Sequence, residues 1–429
     1  MKTETGLSAW IRDNGIRFTE LDLDAPLDDL DSLTGIVGDA RVVALGESSH
    51  HVREFYQVRH RILRFLVERH GFTVFALEAP FTEGRVLDEW IHGGAGGEGD
   101  VERIATEGIA MSLGDVPELH EVLVWMRSRN EDHDGAGLRC VGTDLPGSLG
   151  SPLPALRRIA GYIEAHVPDA TGGLARAIAL AERFHAPSAV YAGELATYPA
   201  MEESDRNELT AVLSELVARL ERAADGRCAE GRSAEHSVVA HHLRGAWLLD
   251  QLHRSMLTDG IESASTFRDL YLAESVLRLL EADPQARVVL AAHNWHIQKT
   301  TELHEGSPLF PSGFHLAAAL GEDYRAIGLT ARNGRTGVAN GAALEGSGEF
   351  LFREAPLPPP EDTAIESAFP GDATWTIADL RAVPAAVAGP GTYPRTRMAD
   401  YFLDQPALSA FDALVCVANT SGTKYTREG

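Results

Sequence analysis

The stretch "VVALGESSHH" (Val42–His51) runs a short apolar segment into a glycine, an acid, two hydroxyls and two histidines. A β-branched run that stops on glycine reads as a buried strand delivering its tip into a turn, with a helix after it. Such a turn needs Gly46 and one capping residue, and Ser48 or Ser49 can cap the next helix. Glu47, His50 and His51 exceed what the turn requires.

Runs of the same kind recur along the chain, each ending on polar residues. They are "TVFALEAP" (Thr73–Pro80), "LRCVGTDLPG" (Leu138–Gly147), "ARVVLAAHNWH" (Ala286–His296), "YRAIGLTA" (Tyr324–Ala331) and "ALVCVANT" (Ala413–Thr420). Continuous rather than alternating apolar runs suit strands covered on both faces, as in a parallel sheet. Helical patterns over His51–His70 and Val116–Asn130 separate the early ones, so the expected class is α/β, a mostly parallel open sheet with right-handed crossovers. From Pro152 to Asp283 every periodic segment reads as helix, which predicts a large helical insertion standing over the sheet. The expected organisation is 1–150 as the first half of the α/β core, 151–285 as the insertion covering a cleft, and 286–429 as the second half. "APLPPPEDTAIESAFPG" (Ala355–Gly371) reads as a Pro-rich surface connection.

The 429 residues are 44% apolar, enough for a large core. No stretch is long and apolar enough to span a membrane, and the start lacks the layout of a signal peptide. The three cysteines, Cys140, Cys228 and Cys416, are widely spaced and form no CxxC pair, so a cytoplasmic, reducing setting is expected. A formal net charge of −25 argues against nucleic acid and anionic membranes as partners. Lys2, Lys299 and Lys424 are the only lysines, which makes a catalytic lysine a poor choice.

Ligands of open parallel sheets bind beyond the carboxyl ends of the strands. By that rule the strand tips bring Glu47 and His50, Glu78, Asp144, and then His293 and His296 to one edge. A lone strand-end acid is usually a helix cap, whereas four tips feeding acids and histidines to one edge mark a functional site. On the helix after the first strand, Val52, Phe55, Tyr56, Ile62, Leu63 and Leu66 form an apolar stripe, and Arg59 falls inside it. An arginine there either snorkels to solvent or is buried against carboxylates; Glu47 and Glu78 favour burial. His51 projects off the stripe, toward solvent or a supporting position. His60, His70, His241 and His242 read as surface or packed imidazoles. No GxSxG surrounds the serines, so capping is their expected role.

Glu47, His50, Glu78, His293 and His296 are all acceptable metal ligands, but HExxH is absent and "HNWH" is no zinc spacing. Without a metal, a neutral histidine can take a proton from water while a carboxylate fixes its tautomer, and a second histidine or an arginine can face the developing oxyanion.

The pieces "ALGESSHHVREFYQVR", "LEAP", "VGTDLPG", "FRDLYLAES", "AAHNWHIQ" and "EDYRAIGL" together resemble the erythromycin esterases. That resemblance implies a three-layer α/β/α core with an added helical part. It also implies ring-opening hydrolysis of a macrolide lactone with no metal, cofactor or covalent intermediate. His50 would be the general base, with Glu47, Glu78, Arg59 and His293 as its polar companions. Asp144, Trp295, His296 and Arg268 are assigned to substrate binding. Two positions depart from the family pattern: His51 stands where a small residue is usual, and Ser275 where Asn is common. Both bear on the substrate, a bulky macrolide or polyketide ester, and the family implies antibiotic resistance or biosynthesis as the setting. Two other activities fit the cluster: base-catalysed elimination or another tailoring step on a polyketide, and metal or haem binding on a similar core.

Overall fold

The computed structural model describes residues 6–94, 100–109, 113–132, 137–184, 198–229, 231–304, 307–339, 352–389, 391–424 and 427–428. The strands that build its main sheet are β1 (Ile16–Phe18), β2 (Val42–Leu45), β3 (Val74–Pro80), β4 (Arg139–Asp144), β5 (Val288–Ala291), β6 (Tyr324–Ala339), β8 (Trp375–Asp379) and β9 (Ala413–Thr420), with β7 (Phe352–Pro356) paired to the far end of β6. Among the described residues, two short two-stranded ribbons and a final short strand lie outside this set. The sheet runs β1-β8-β9-β6-β2-β5-β3-β4. From β9 to β4 every neighbour is parallel, while β8 pairs antiparallel with both β9 and β1. The class is therefore α/β, as expected, with an antiparallel edge that the apolar runs did not reveal. β1 is too short to show a pattern, and β8 carries Thr376 within a wholly buried centre.

Alternation along the central strands builds two cores. Val43, Leu45, Phe75, Leu77, Val289 and Ala291 face the layer of α1 (Arg53–His70) and α2 (Pro117–Asp132). Val42, Ala44, Val74, Ala76, Val288 and Leu290 face the opposite layer. With both faces covered, every residue of β2, β3 and β5 is buried, which explains their unbroken apolar spelling.

Between β4 and β5 the chain is helical where described: α3 (Leu153–His166), α4 (Thr171–Ala181), α5 (Glu203–Ala229), α6 (Ser233–Thr258) and α7 (Ile261–Ala282). A third core, including Leu156, Leu174, Leu213, Leu216 and Leu243, joins α3, α4, α5 and the first part of α6. Further along α6, Leu248, Leu249 and Leu252 join the sheet-side core together with Tyr271, Leu272 and Val276 of α7. The long α6 thus bridges the two bodies, and α7 lies against the sheet. The Pro-rich stretch is a surface connection only in its middle: Ala355 and Pro356 belong to β7, and Ile365, Glu366, Ala368 and Phe369 are buried. Among the described residues no helix is long and apolar enough to cross a membrane.

Gly46 is where backbone geometry is tightest. Its N–H donates to the Ile327 carbonyl at 2.9 Å, and a Cβ there would collide with Oδ1 of buried Asn294. Asn294 in turn holds the Leu329 backbone with both ends of its amide, at 2.8 and 3.1 Å. Gly46→Ala should therefore lower stability by about 1–3 kcal/mol, the usual cost of overpacking, read as a lower denaturation midpoint at unchanged slope.

Candidate active site

The turn after β2 is pinned on several sides. The Glu47 carbonyl accepts from Asn294 N–H (2.8 Å), the Ser48 carbonyl from Ala399 N–H (2.8 Å), and the His51 carbonyl from Thr423 N–H (3.0 Å). The serines do not cap α1 as expected. Val52 occupies that position in extended conformation without a side-chain bond, and the Ser49 hydroxyl donates to the Gly337 carbonyl at 2.8 Å. The reason is β6, which passes so near that a Cβ on Gly337 would lie 2.9 Å from His51 Cβ. For His51 the structure selects the supporting position over solvent: the residue is buried, left-handed at φ 58°, with its ring 4.3 Å from that of Phe352. Burial first, then the charge on His50, lowers its pKa to about 3, so it is neutral.

His50 Nδ1–H donates to Glu47 Oε1 at 2.9 Å, and Arg59 Nη2 stands 3.2 Å from the other carboxylate oxygen. Arg59 is thus buried against Glu47, its guanidinium 5.0 Å from the centre of the Tyr56 ring. Burial alone would raise the Glu47 carboxyl; the Arg59 charge and the His50 bond outweigh it and hold the carboxyl below its ordinary value. Burial alone would likewise lower His50, but the bond to Glu47 and the charges of Glu47 and Glu78 raise it above 6.5. The His50 side chain remains 18% exposed, and Nε2 has no protein partner among the described residues.

Glu78, at the end of β3, accepts the His293 backbone N–H at 2.7 Å and Arg268 Nη2 at 2.7 Å. Arg268, from α7, also forks onto Asp144 at the end of β4, with Nε–Oδ2 at 2.9 Å and Nη2–Oδ2 at 2.5 Å. His296, in the short helix α8 (Asn294–Ile297), bonds Asp269 at 2.7 Å through Nδ1. Asp269 also accepts the Ser312 N–H at 2.8 Å. At His296 Nε2, Arg268 Nη1 at 3.1 Å could donate only to an unprotonated ring, whereas Glu78 Oε1 at 3.5 Å favours the imidazolium. Three carboxylates (Glu78, Asp144 and Asp269) against one fixed cation decide for the imidazolium. Burial works downward there, but Asp269 and Glu78 carry the pKa up to about 10. Glu78, despite its burial, is held well below the carboxylate range by His296 and Arg268.

Asp144, Arg268 and His296, expected to touch substrate, are therefore buried in an ion network around Glu78. Trp295 alone of that group is half-buried, with surface to offer. His293 caps α8: its Nδ1 accepts Trp295 N–H at 3.1 Å, which leaves the proton on Nε2. Its ring stands edge-on to His50 with centroids 5.3 Å apart. Burial, then the His50 charge, lowers it to about 4, so it is a neutral donor at pH 7. Asp269 and Asn294 escaped the sequence reading, although each adjoins a residue it singled out. Ser275 lies in the core, its hydroxyl 2.7 Å from His241 Nε2. Among the described residues no group of three or more His, Cys, Asp or Glu could hold a metal ion.

The parallel sheet thus presents, at the carboxyl ends of its strands, a carboxylate-anchored histidine beside a second, neutral one. Residues 67–420 match the family model described as Erythromycin esterase, and the chain belongs to that family of esterases. The matched segment carries Glu78, Asp144, Arg268, His293 and His296, whereas Glu47, His50 and Arg59 precede it. It is 31% identical over 372 residues to erythromycin esterase type II of Escherichia coli, covering 84% of this chain and 85% of that protein. With erythromycin esterase type I of Escherichia coli it shares 30% over 310 residues, 70% of this chain and 71% of that one. A histidine-to-asparagine mutant of the erythromycin esterase EreC, in its open conformation, superimposes with a TM-score of 0.80 at 25% identity, covering 95% of this chain and 98% of that chain. A succinoglycan biosynthesis protein shares the fold alone, with TM-score 0.76 at 18% identity and 99% of each chain covered.

Arg59→Lys should weaken the buried ion pair with Glu47 and leave that carboxylate poorly compensated, lowering stability by up to about 3–5 kcal/mol; chemical denaturation reads this directly. His296 makes the opposite end of the pH scale informative. Its folded pKa of about 10 lies above the unfolded value near 6.5. Its contribution is complete below the unfolded pKa and is lost as pH rises through the folded one. The melting temperature should fall between those limits, and His296→Gln should flatten that slope.

Proposed function

We infer that this chain hydrolyses an ester or macrolactone bond of a macrolide- or polyketide-type substrate, with His50 taking a proton from the attacking water and no metal involved. The observation that carries this reading is the orientation of His50. Glu47 holds Nδ1–H, so the lone pair sits on Nε2, the nitrogen with no protein partner among the described residues. Water placed there loses a proton to Nε2 as its oxygen attacks the ester carbonyl. Neutral His293, with its proton on Nε2, supplies a donor beside the developing oxyanion. As the tetrahedral intermediate collapses, the imidazolium returns its proton to the leaving alkoxide; the products are a carboxylic acid, which ionises, and an alcohol.

Support for the metal-free route is the commitment of the carboxylates: Glu47 to His50 and Arg59, Glu78 to Arg268 and a backbone N–H. Support for a bulky substrate comes from the helical insertion and from relatives named as erythromycin esterases. Trp295 is the proposed substrate contact, and Asp144, Arg268, Asp269 and His296 hold Glu78 and the His293 backbone in place.

His50→Gln should cut kcat/KM for a macrolide ester by about 10²–10⁴-fold while leaving the protein folded, and Ser48→Ala should keep most activity. In ¹⁸O-labelled water one label should enter the carboxylate product, with no acyl-enzyme. An unlabelled acid released together with an alkene would replace hydrolysis by elimination. Because the base must be unprotonated and its pKa is raised, kcat/KM should fall as pH drops through a value above 6.5. An acid limb below 6.5, or none, would remove His50 from the role.

A further inference from the structure

Behind the catalytic turn, between α1 and the tips of β3 and β5, lies a narrow cavity of about 30 Å³. A single water needs about 10–15 Å³. The polar part of its lining is Glu47, Tyr56, Arg59, His60 and Glu78, and the remainder is apolar. Two buried atoms of these residues, Glu47 Oε2 and His60 Nδ1, have no hydrogen-bond partner among the described residues. Arg59 Nη2 is 3.2 Å from Glu47 Oε2 but is not aligned to donate to it. His60 is 2% exposed and borders both this cavity and an outer groove between α1 and α2. Packing alone does not call for an imidazole there, since an aliphatic side chain would fill the wall without burying an unpaired nitrogen.

We propose that an ordered water bridges Glu47 Oε2 and His60 Nδ1 across this cavity, making His60 a positioning residue that acts on His50 through Glu47. The groups facing His60 are Glu47, Glu78, Tyr56 and Arg59 on the cavity side, and Asp22, Asp24, Arg64, His120 and Glu121 on the groove side. Burial, then the Arg59 charge, lowers its pKa to about 3, so it is a neutral imidazole. In the tautomer with hydrogen on Nδ1 it donates to the water, and the water donates to Glu47 Oε2. The carboxylate is then fixed at both oxygens, one toward His50 and one into the cavity. The water also stabilises the Glu47 charge and so moderates its pull on the His50 proton. His50 otherwise faces Glu78, Arg268, His51 and His293, and of these Glu78 alone is in the lining of the cavity.

This inference rests on His50 as the hydrolytic base, but its readouts do not require turnover. A crystal structure of the full chain should show a water within hydrogen-bond distance of both atoms. Histidine-selective ¹⁵N labelling, assigned with His50→Gln, should place the His50 midpoint higher in His60→Leu than in wild type by about half a pH unit or more. His60→Gln, which keeps a polar group at the wall, should return it close to wild type. A dry cavity, or an unchanged midpoint in folded His60→Leu, overturns the proposal; if that variant does not fold, the wild-type water decides. A wild-type protein with the bridge and the midpoint shift but no ester cleavage would instead overturn the hydrolytic reading alone.

Discussion

A carboxylate cannot be buried at the edge of a sheet without a cation beside it, and two of those buried here, Glu47 and Glu78, show what that demands. Glu47 follows β2 and Glu78 lies near the end of β3, with β5 between those strands. Each draws its arginine from a different layer: Arg59 from α1 on one face, Arg268 from α7 on the other. The two ion pairs therefore do more than neutralise charge. They set where both helical layers stand relative to the strand tips, and the turn carrying His50 is folded around the first of them.

Once those carboxylates are placed, the histidines near them divide into distinct protonation states. His50 is raised by Glu47, His296 is kept charged by Asp269 and Glu78, and His293 and His51 are pushed down by burial and by the neighbouring charge. One residue type thus stands in a raised, a charged and two neutral forms within a small volume. Separation of pKa values among close neighbours is how acid and base roles are assigned at one pH.

The parallel strands and their order along the chain were legible because burial on both faces leaves an unbroken apolar spelling. Strand ends that carry acids and histidines were legible for the same reason, since a polar residue stands out where such a run stops. Arg59 could be read as buried because it interrupts an apolar stripe at helical spacing. What escaped depends on contacts distant in sequence. Nothing around Ser49 announces that β6 will crowd the turn and take its hydroxyl. Asp144 and Arg268, 124 positions apart, give no local sign that they close a fork on each other rather than line a cleft. β8 was missed because Thr376 disguises a buried strand, and for His60 the sequence left surface and packed positions open because the two spell the same.

The division of the insertion between two cores has a consequence for how such enzymes diversify. α3, α4 and α5 pack on one another and on the first part of α6, while α7 carries Arg268 and Asp269 and lies on the sheet. Substitutions, length changes or wholesale exchange within α3–α5 can alter that helical body without disturbing Arg268 and Asp269. Changes in the pitch of α7 cannot, because they would unseat Glu78. The two parts of this helical segment can thus change separately, and a chimaera joined within α6 would exchange the α3–α5 body while keeping the arginine and aspartate that α7 sends to the strand tips.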